Sequence, residues 1–289
     1  MAGYIGGKAV NLSTSGADIS GTANLDIVDI DGAVNMATTA LVTGVLTANG
    51  GAVFNEGSAD VDFRVESNGN ANMLFVDGGN DAVGIGTSSP ATKLAVSGGY
   101  ISQTDGTRTL YLGSDGTGGL FGTITNHYLR FITNNTERMR IDSTGAVTMP
   151  AQPAFQVNPS SNQNNIAVNN SEVTVVFGTE VFDQNADFAS NTFTAPVTGK
   201  YQLNASLYLL NIDSAADYYI LKIKTSNRDY SIVLDPGRFS GDVVYWPMGF
   251  SVLADMDAND TSTIVIMQNG GTAQTDIHTQ SKYSGYLVA

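Results

Sequence analysis

The sequence predicts an all-β protein in two parts: a glycine-rich segment of short strands and turns, then a compact β domain. Three observations carry this. No segment spaces its apolar residues with the 3.6-residue period of an amphipathic helix, whereas Tyr201 to Leu209 alternates apolar and polar positions as a half-buried strand does. Thr263-Ile-Val-Ile-Met267 is a short β-branched apolar run, the pattern of a strand covered on both faces. Glycine and aromatic residues are unevenly divided, residues 1–150 holding 24 of the 32 glycines but only 9 of the 25 aromatics. Many glycines and few rings suit thin, turn-rich β structure, while aromatic density suits a packed core.

Composition sets the outer bounds. At 289 residues and 42% hydrophobic content the chain is long enough for two domains, each with its own core. The 27 acidic against 13 basic residues leave a formal charge of −14, which disfavours nucleic acid as a partner because few cations are available to neutralise phosphates. Cysteine is absent, which excludes disulfides, thiol nucleophiles and Cys-ligated zinc, and suits assembly in a reducing cytosol. The start has no apolar stretch of signal-peptide length and nowhere do eighteen apolar residues run together, so neither secretion nor membrane insertion is expected.

Taken in order, residues 1–25 form an N-terminal segment and residues 26–150 a glycine-rich β-repeat region. Within the latter, an apolar residue, an acidic or polar one and a short glycine turn recur at Ile30-Asp-Gly-Ala-Val34, Val65-Glu-Ser-Asn-Gly69, Val76-Asp-Gly-Gly-Asn80 and Ile141-Asp-Ser-Thr-Gly-Ala-Val147. Each copy reads as a strand end followed by residues that tolerate positive φ, as tight turns require. The spacing is irregular, so no solenoid period is established. Units this thin cannot bury a face alone and need neighbouring copies or other chains to cover it, so obligate oligomerisation is expected. Pro150 and Pro153 mark a linker, and residues 151–289 form the second domain. Its expected strands lie near 153–157, 171–177, 200–210, 217–225, 229–234, 243–253, 261–268 and 282–288.

These residues bring two resemblances into view. Asp62-Phe-Arg-Val-Glu66, Asn72-Met-Leu-Phe-Val-Asp77, Val83-Gly-Ile-Gly-Thr-Ser-Ser-Pro90 and Thr136-Glu-Arg-Met-Arg-Ile-Asp142 resemble segments of bacteriophage tail fibres, and Tyr4-Ile-Gly6 resembles their docking end. Asn191-Thr-Phe-Thr-Ala-Pro-Val-Thr-Gly-Lys-Tyr201 and Tyr283-Ser-Gly-Tyr-Leu-Val288 resemble the globular head of complement component 1q, which shares a trimeric jelly roll with tumour necrosis factor. That second resemblance covers roughly residues 153–289. It departs from the family at the polar insert Asn158 to Asn170 and at Tyr245-Trp-Pro-Met248. Together the two imply a Gly-rich trimeric β shaft followed by a C-terminal jelly-roll head. The expected product is a homotrimeric phage virion fibre: Tyr4 and Ile5 dock to other virion proteins, and the head meets a host-surface glycan or protein. Tyr283, Tyr286 and Val288 are the expected trimer-interface residues. The alternatives are a capsid head fibre or decoration protein in which the head only locks the trimer, a bacterial adhesin exported by an unusual route, and a glycan depolymerase.

No motif argues for catalysis, a cofactor or a metal. His127 and His278 are the two histidines, they fall in different expected domains, and no nucleophile elbow accompanies either. Asp60 and Asp62 lie at i and i+2 on one strand face, where two carboxylates would serve glycan cleavage, but keeping a strand edge solvated is the plainer reading. Asp255-Met-Asp-Ala-Asn-Asp260 begins like a calcium loop, yet its sixth position is Asp260 instead of Gly and its twelfth Ile266 instead of Glu, which favours a solvated hairpin turn. Val83 to Ser89 lacks the third glycine of a phosphate cradle.

If the first and last head strands both end at the base, the connections 158–170, 211–216, 235–242 and 269–281 fall at the distal tip. They supply Asn162, Asn164, Asn165, Asp213, Asp235, Arg238, Asp242, Gln274, Asp276 and His278 as hydrogen-bonding groups for a receptor. Tyr218 and Tyr219 add a possible sugar-stacking surface, since consecutive strand residues face opposite ways. Display of one tip three times would multiply a weak affinity.

Overall fold

In the computed structural model, residues 34, 36, 39–55 and 57–289 are described. The docking segment 1–25, with Tyr4 and Ile5, and most of the repeat copy that begins at Ile30 lie outside them. Among the described residues the regular structure is β throughout, apart from one 3₁₀ turn at Pro236–Arg238.

The glycine-rich region forms three small sheets. Strands β1 (Phe63–Val65), β2 (Leu74–Asp77) and β3 (Ala82–Ile85) are antiparallel, and β4 (Leu94–Val96) joins β3 in parallel. Strands β5 (Ile101–Thr104), β6 (Thr109–Ser114) and β7 (Gly119–Thr123) make a meander, as do β8 (Leu129–Thr133), β9 (Thr136–Ile141) and β10 (Val147–Thr148). Four of the turns share one device: an acidic side chain accepts hydrogen bonds from amides ahead of it. Asp142 Oδ1 accepts from Thr144 N at 2.8 Å and Ala146 N at 3.0 Å, and Asp77 Oδ1 accepts from Asn80 N at 2.9 Å. Asp105 and Asp115, outside the recognised repeat copies, do the same across the β5–β6 and β6–β7 turns. The amides of Arg108 and Thr107, then the Arg108 guanidinium, hold the Asp105 carboxyl down at about 2. Val83-Gly-Ile-Gly is a close backbone crossing: a Cβ on Gly84 would overlap Thr87 O, and Gly86 has φ +76°.

Residues 154–287 form a jelly roll of two packed antiparallel sheets. Its strands are β11 (Ala154–Asn158), β12 (Val173–Thr174), β13 (Thr179–Asp183), β14 (Phe188–Ala189), β15 (Thr192–Thr194), β16 (Gly199–Ile212), β17 (Ala216–Thr225), β18 (Asp229–Leu234), β19 (Val243–Met256), β20 (Thr261–Gly270), β21 (Asp276–Ile277) and β22 (Lys282–Leu287). One sheet has the order β13-β11-β22-β16-β19, with β21 also on β16. The other has β14-β15-β20-β17-β18, with β12 also on β20. Pro247 is tolerated in β19 because that strand is an edge.

The alternation read in Tyr201 to Leu209 places Tyr201, Leu203, Ala205, Leu207 and Leu209 in the core and the residues between them outside. Phe155 stacks on Phe193 at 4.6 Å and meets the edge of Tyr283 at 5.0 Å, with Phe188 and Phe177 completing the cluster. Each fully buried large apolar side chain contributes about 1.5–3 kcal/mol. The run at 263–267 is covered on both faces at its centre, where Ile264, Val265 and Ile266 are all buried. It lies in β20, in the sheet opposite β22.

Candidate functional site

The four connections expected at one end of the head are tied to one another there. Asp213 is the fastener. Its side chain is 1% exposed, and its carboxylate accepts from Ala215 N at 2.8 Å, from Ala273 N at 2.7 Å and from Thr272 N. Burial works to raise its pKa, but the amides of Ala273, Ala215 and Thr272 outweigh it and leave the carboxyl below its ordinary range. Beneath it the Tyr219 hydroxyl accepts from Asp213 N at 2.9 Å and bonds Thr275 Oγ1 at 2.8 Å. Gln268 closes the network, donating to Ala273 O and accepting from Thr275 N. Asp213 and Tyr219, expected to meet a receptor, are therefore structural groups under the tip. Among the described residues no cation pairs with Asp213, and its ionisation is sustained by the backbone amides that it accepts from.

Above this layer the polar groups are more accessible. Asp276 accepts from Asn165 N at 2.7 Å and Asn211 Nδ2 at 3.2 Å, joining three connections. Asn162 Oδ1 accepts from Thr279 N, Asn164 is exposed, and His278 lies half-buried with Nδ1 accepting from Gln280 N. Ser214 donates from both N and Oγ to Asp242 Oδ1, which brings in the connection that carries exposed Arg238. Tyr218 is half-exposed, its hydroxyl donating to Asn170 Oδ1 at 3.1 Å.

The outer face of the β11–β22–β16–β19 layer holds groups that the reading of the loops missed. Register places His278, Tyr208 and Pro247 in one row and Asp276, Leu210 and Tyr245 in the next. The Tyr208 ring lies 5.5 Å from His278 and 5.8 Å from Tyr245. The signal was present: with odd positions of β16 inside, Tyr208 has to face out. Farther along, Ser251 donates to Asn204 Oδ1 at 2.7 Å, and Asn204 reaches Ser284 at 3.5 Å. Tyr286 and Val288, both about half exposed, share this face. Tyr283 does not: alternation along β22 turns it into the core at 0% exposure, where its hydroxyl donates to Ser262 Oγ at 2.6 Å and links the two sheets. Its placement at a chain interface is corrected accordingly.

The remaining acidic candidates have structural partners. Asp62 accepts from Gly78 N at 3.1 Å, and the Asp60 carboxylate packs over Gly79, so both wrap the turn between β2 and β3. Asp255 pairs with Arg228 at 2.7 Å and Asp260 accepts from Asp257 N at 2.8 Å, but β19 and β20 lie in different sheets, so 255–260 is a self-capped turn between the sheets and not the expected hairpin. His127 bonds Thr125 Oγ1 within a connection of the glycine-rich region.

No protein-family model matches the chain, and no curated protein matches it. Among solved structures it is similar to the globular domain of a zebrafish complement 1qA protein, at 18% identity and a TM-score of 0.34 over 48% of this chain and 98% of that one. It is also similar to murine APRIL, at 10% identity and a TM-score of 0.35 over 47% of this chain and 99% of that one.

Proposed function

We infer that the chain is a non-enzymatic structural fibre protein of a bacteriophage virion, homotrimeric, with a head whose tip contacts the host surface. One observation carries the oligomeric part. In the β5–β6–β7 sheet, Ile101, Leu112 and Phe121 form a cross-strand row, and in the β8–β9–β10 sheet Leu129, Ile141 and Val147 form another. The Phe121 and Phe131 rings, 6.5 Å apart, connect the two faces. Ile101, Leu112, Phe121 and Val147 are each about half exposed in the single chain. An apolar sheet face left open to water is unfavourable, and further copies of the chain would cover it. The sequence resemblance to phage fibres supports the virion setting, with assembly in the bacterial cytoplasm, and the interlocked tip supports host contact through its accessible groups.

Native mass by light scattering across a concentration series tests this reading. A concentration-independent 90.9 kDa particle, three times the 30.3 kDa chain, is expected. A monomer would overturn it. Gold-labelled antibody on intact phage particles then distinguishes a tail fibre from a capsid head fibre, and binding of the protein to host cells tests the tip.

A further inference from the structure

The face of the β8–β9–β10 sheet opposite the apolar row carries a group of charges that the fibre reading does not use. Arg130 and Arg140 are direct cross-strand partners, so their side chains leave the same face. Like charges in that relation repel. What holds them is the Tyr128 ring, with the Arg140 guanidinium carbon 4.5 Å and that of Arg130 5.4 Å from its centroid. Glu137 accepts from Arg140 Nη2 at 2.7 Å and offsets one charge. Among the described residues Arg130 has no carboxylate or hydrogen-bond partner, and Arg140 Nε is buried without an acceptor. The head lysines behave differently: Lys222 and Lys224 stand at alternate positions of one strand, and both are paired with Glu172.

We propose that Arg130, Arg140 and Tyr128 form an oxyanion-binding site that takes a phosphate, sulfate or carboxylate group. Two guanidiniums fixed by strand register and by one aromatic ring present planar donor forks that match such a group. An oxyanion between them replaces repulsion with charge-assisted hydrogen bonds. This inference is independent of the fibre reading.

The test is titration of the full-length protein with inorganic phosphate at constant ionic strength, read by calorimetry and by the arginine Nε–Hε resonances. Saturable binding below about 10 mM is expected, with those resonances shifting. Arg130→Gln weakens it at least about tenfold, the equivalent of one charge-assisted hydrogen bond. Arg130→Lys keeps the charge, loses the fork and binds with intermediate affinity. Equal affinity for phosphate and glucose 6-phosphate assigns the oxyanion alone, and tighter glucose 6-phosphate binding assigns a sugar-borne one; both uphold the site. Unchanged phosphate binding by Arg130→Gln, or no saturable phosphate binding by the wild type, overturns the site.

Discussion

Replacing Asp213 by asparagine tests the account of how the head's tip is held together. The carboxylate is buried and satisfies three amides, Ala215 N through Oδ1 and Thr272 N and Ala273 N through Oδ2. Asparagine has one carbonyl oxygen. In its better orientation it keeps Thr272 and Ala273 as donors but sets its own amide against the Ala215 N–H, leaving that donor unpaired and weakening the other two bonds by removing the charge. One charge-assisted bond lost and one part-buried donor left unpaired cost together about 1.5–3 kcal/mol. Urea unfolding of the full chain, followed by tryptophan emission, measures this, since Trp246 packs in the head against Phe239. The pH dependence sharpens the test. Because the folded-state pKa is depressed, the carboxylate's contribution is fully present above the unfolded-state value of about 3.9 and is lost as pH falls through the folded-state value. The gap between wild type and Asp213→Asn should therefore be constant at neutral pH and shrink below pH 4. A variant within about 0.5 kcal/mol of wild type at pH 7, or a gap that does not narrow in acid, would refute the reasoning.

Two further outcomes follow from the same structure. Gly285→Ala should destabilise the head by about 1–3 kcal/mol in the same unfolding assay, because its Cβ would fall 2.7 Å from Leu203 Cδ2 and 2.8 Å from Phe155 Cε1; an unchanged midpoint would show that the core yields there. The Asp105 carboxyl should titrate near 2 by carbon NMR, so that slowed exchange of the Thr107 and Arg108 amides persists as pH falls from 4 toward 2 and is lost below it; titration near 3.9 would show that these bonds do not form in solution.

The all-β class was legible because period-two alternation is a local property. Tyr201 to Leu209 states in its own order which side chains face in, and the eight expected head strands correspond to β11, β12, β16, β17, β18, β19, β20 and β22. Strands β13, β14, β15 and β21 are not among the expected ones. The Asp-x-Thr-Gly type of turn was also local, since the acidic side chain bonds amides two to four residues away.

The sequence by itself determined the fold class, the division between glycine-rich and aromatic parts, and the set of connections that form the tip. Only the tertiary structure decided what the individual residues do. Asp213 looked like a surface acid because most loop aspartates are, and its burial depends on amides nearly sixty residues away. Tyr283 and Tyr286 are equally aromatic in the sequence. Their different fates, one in the core and one on the open face, follow from the register of β22 between β11 and β16, strands that lie far from it in the chain. The pairing of Arg130 with Arg140 over Tyr128 has the same origin, because hairpin register, and not proximity in sequence, sets which charges share a face.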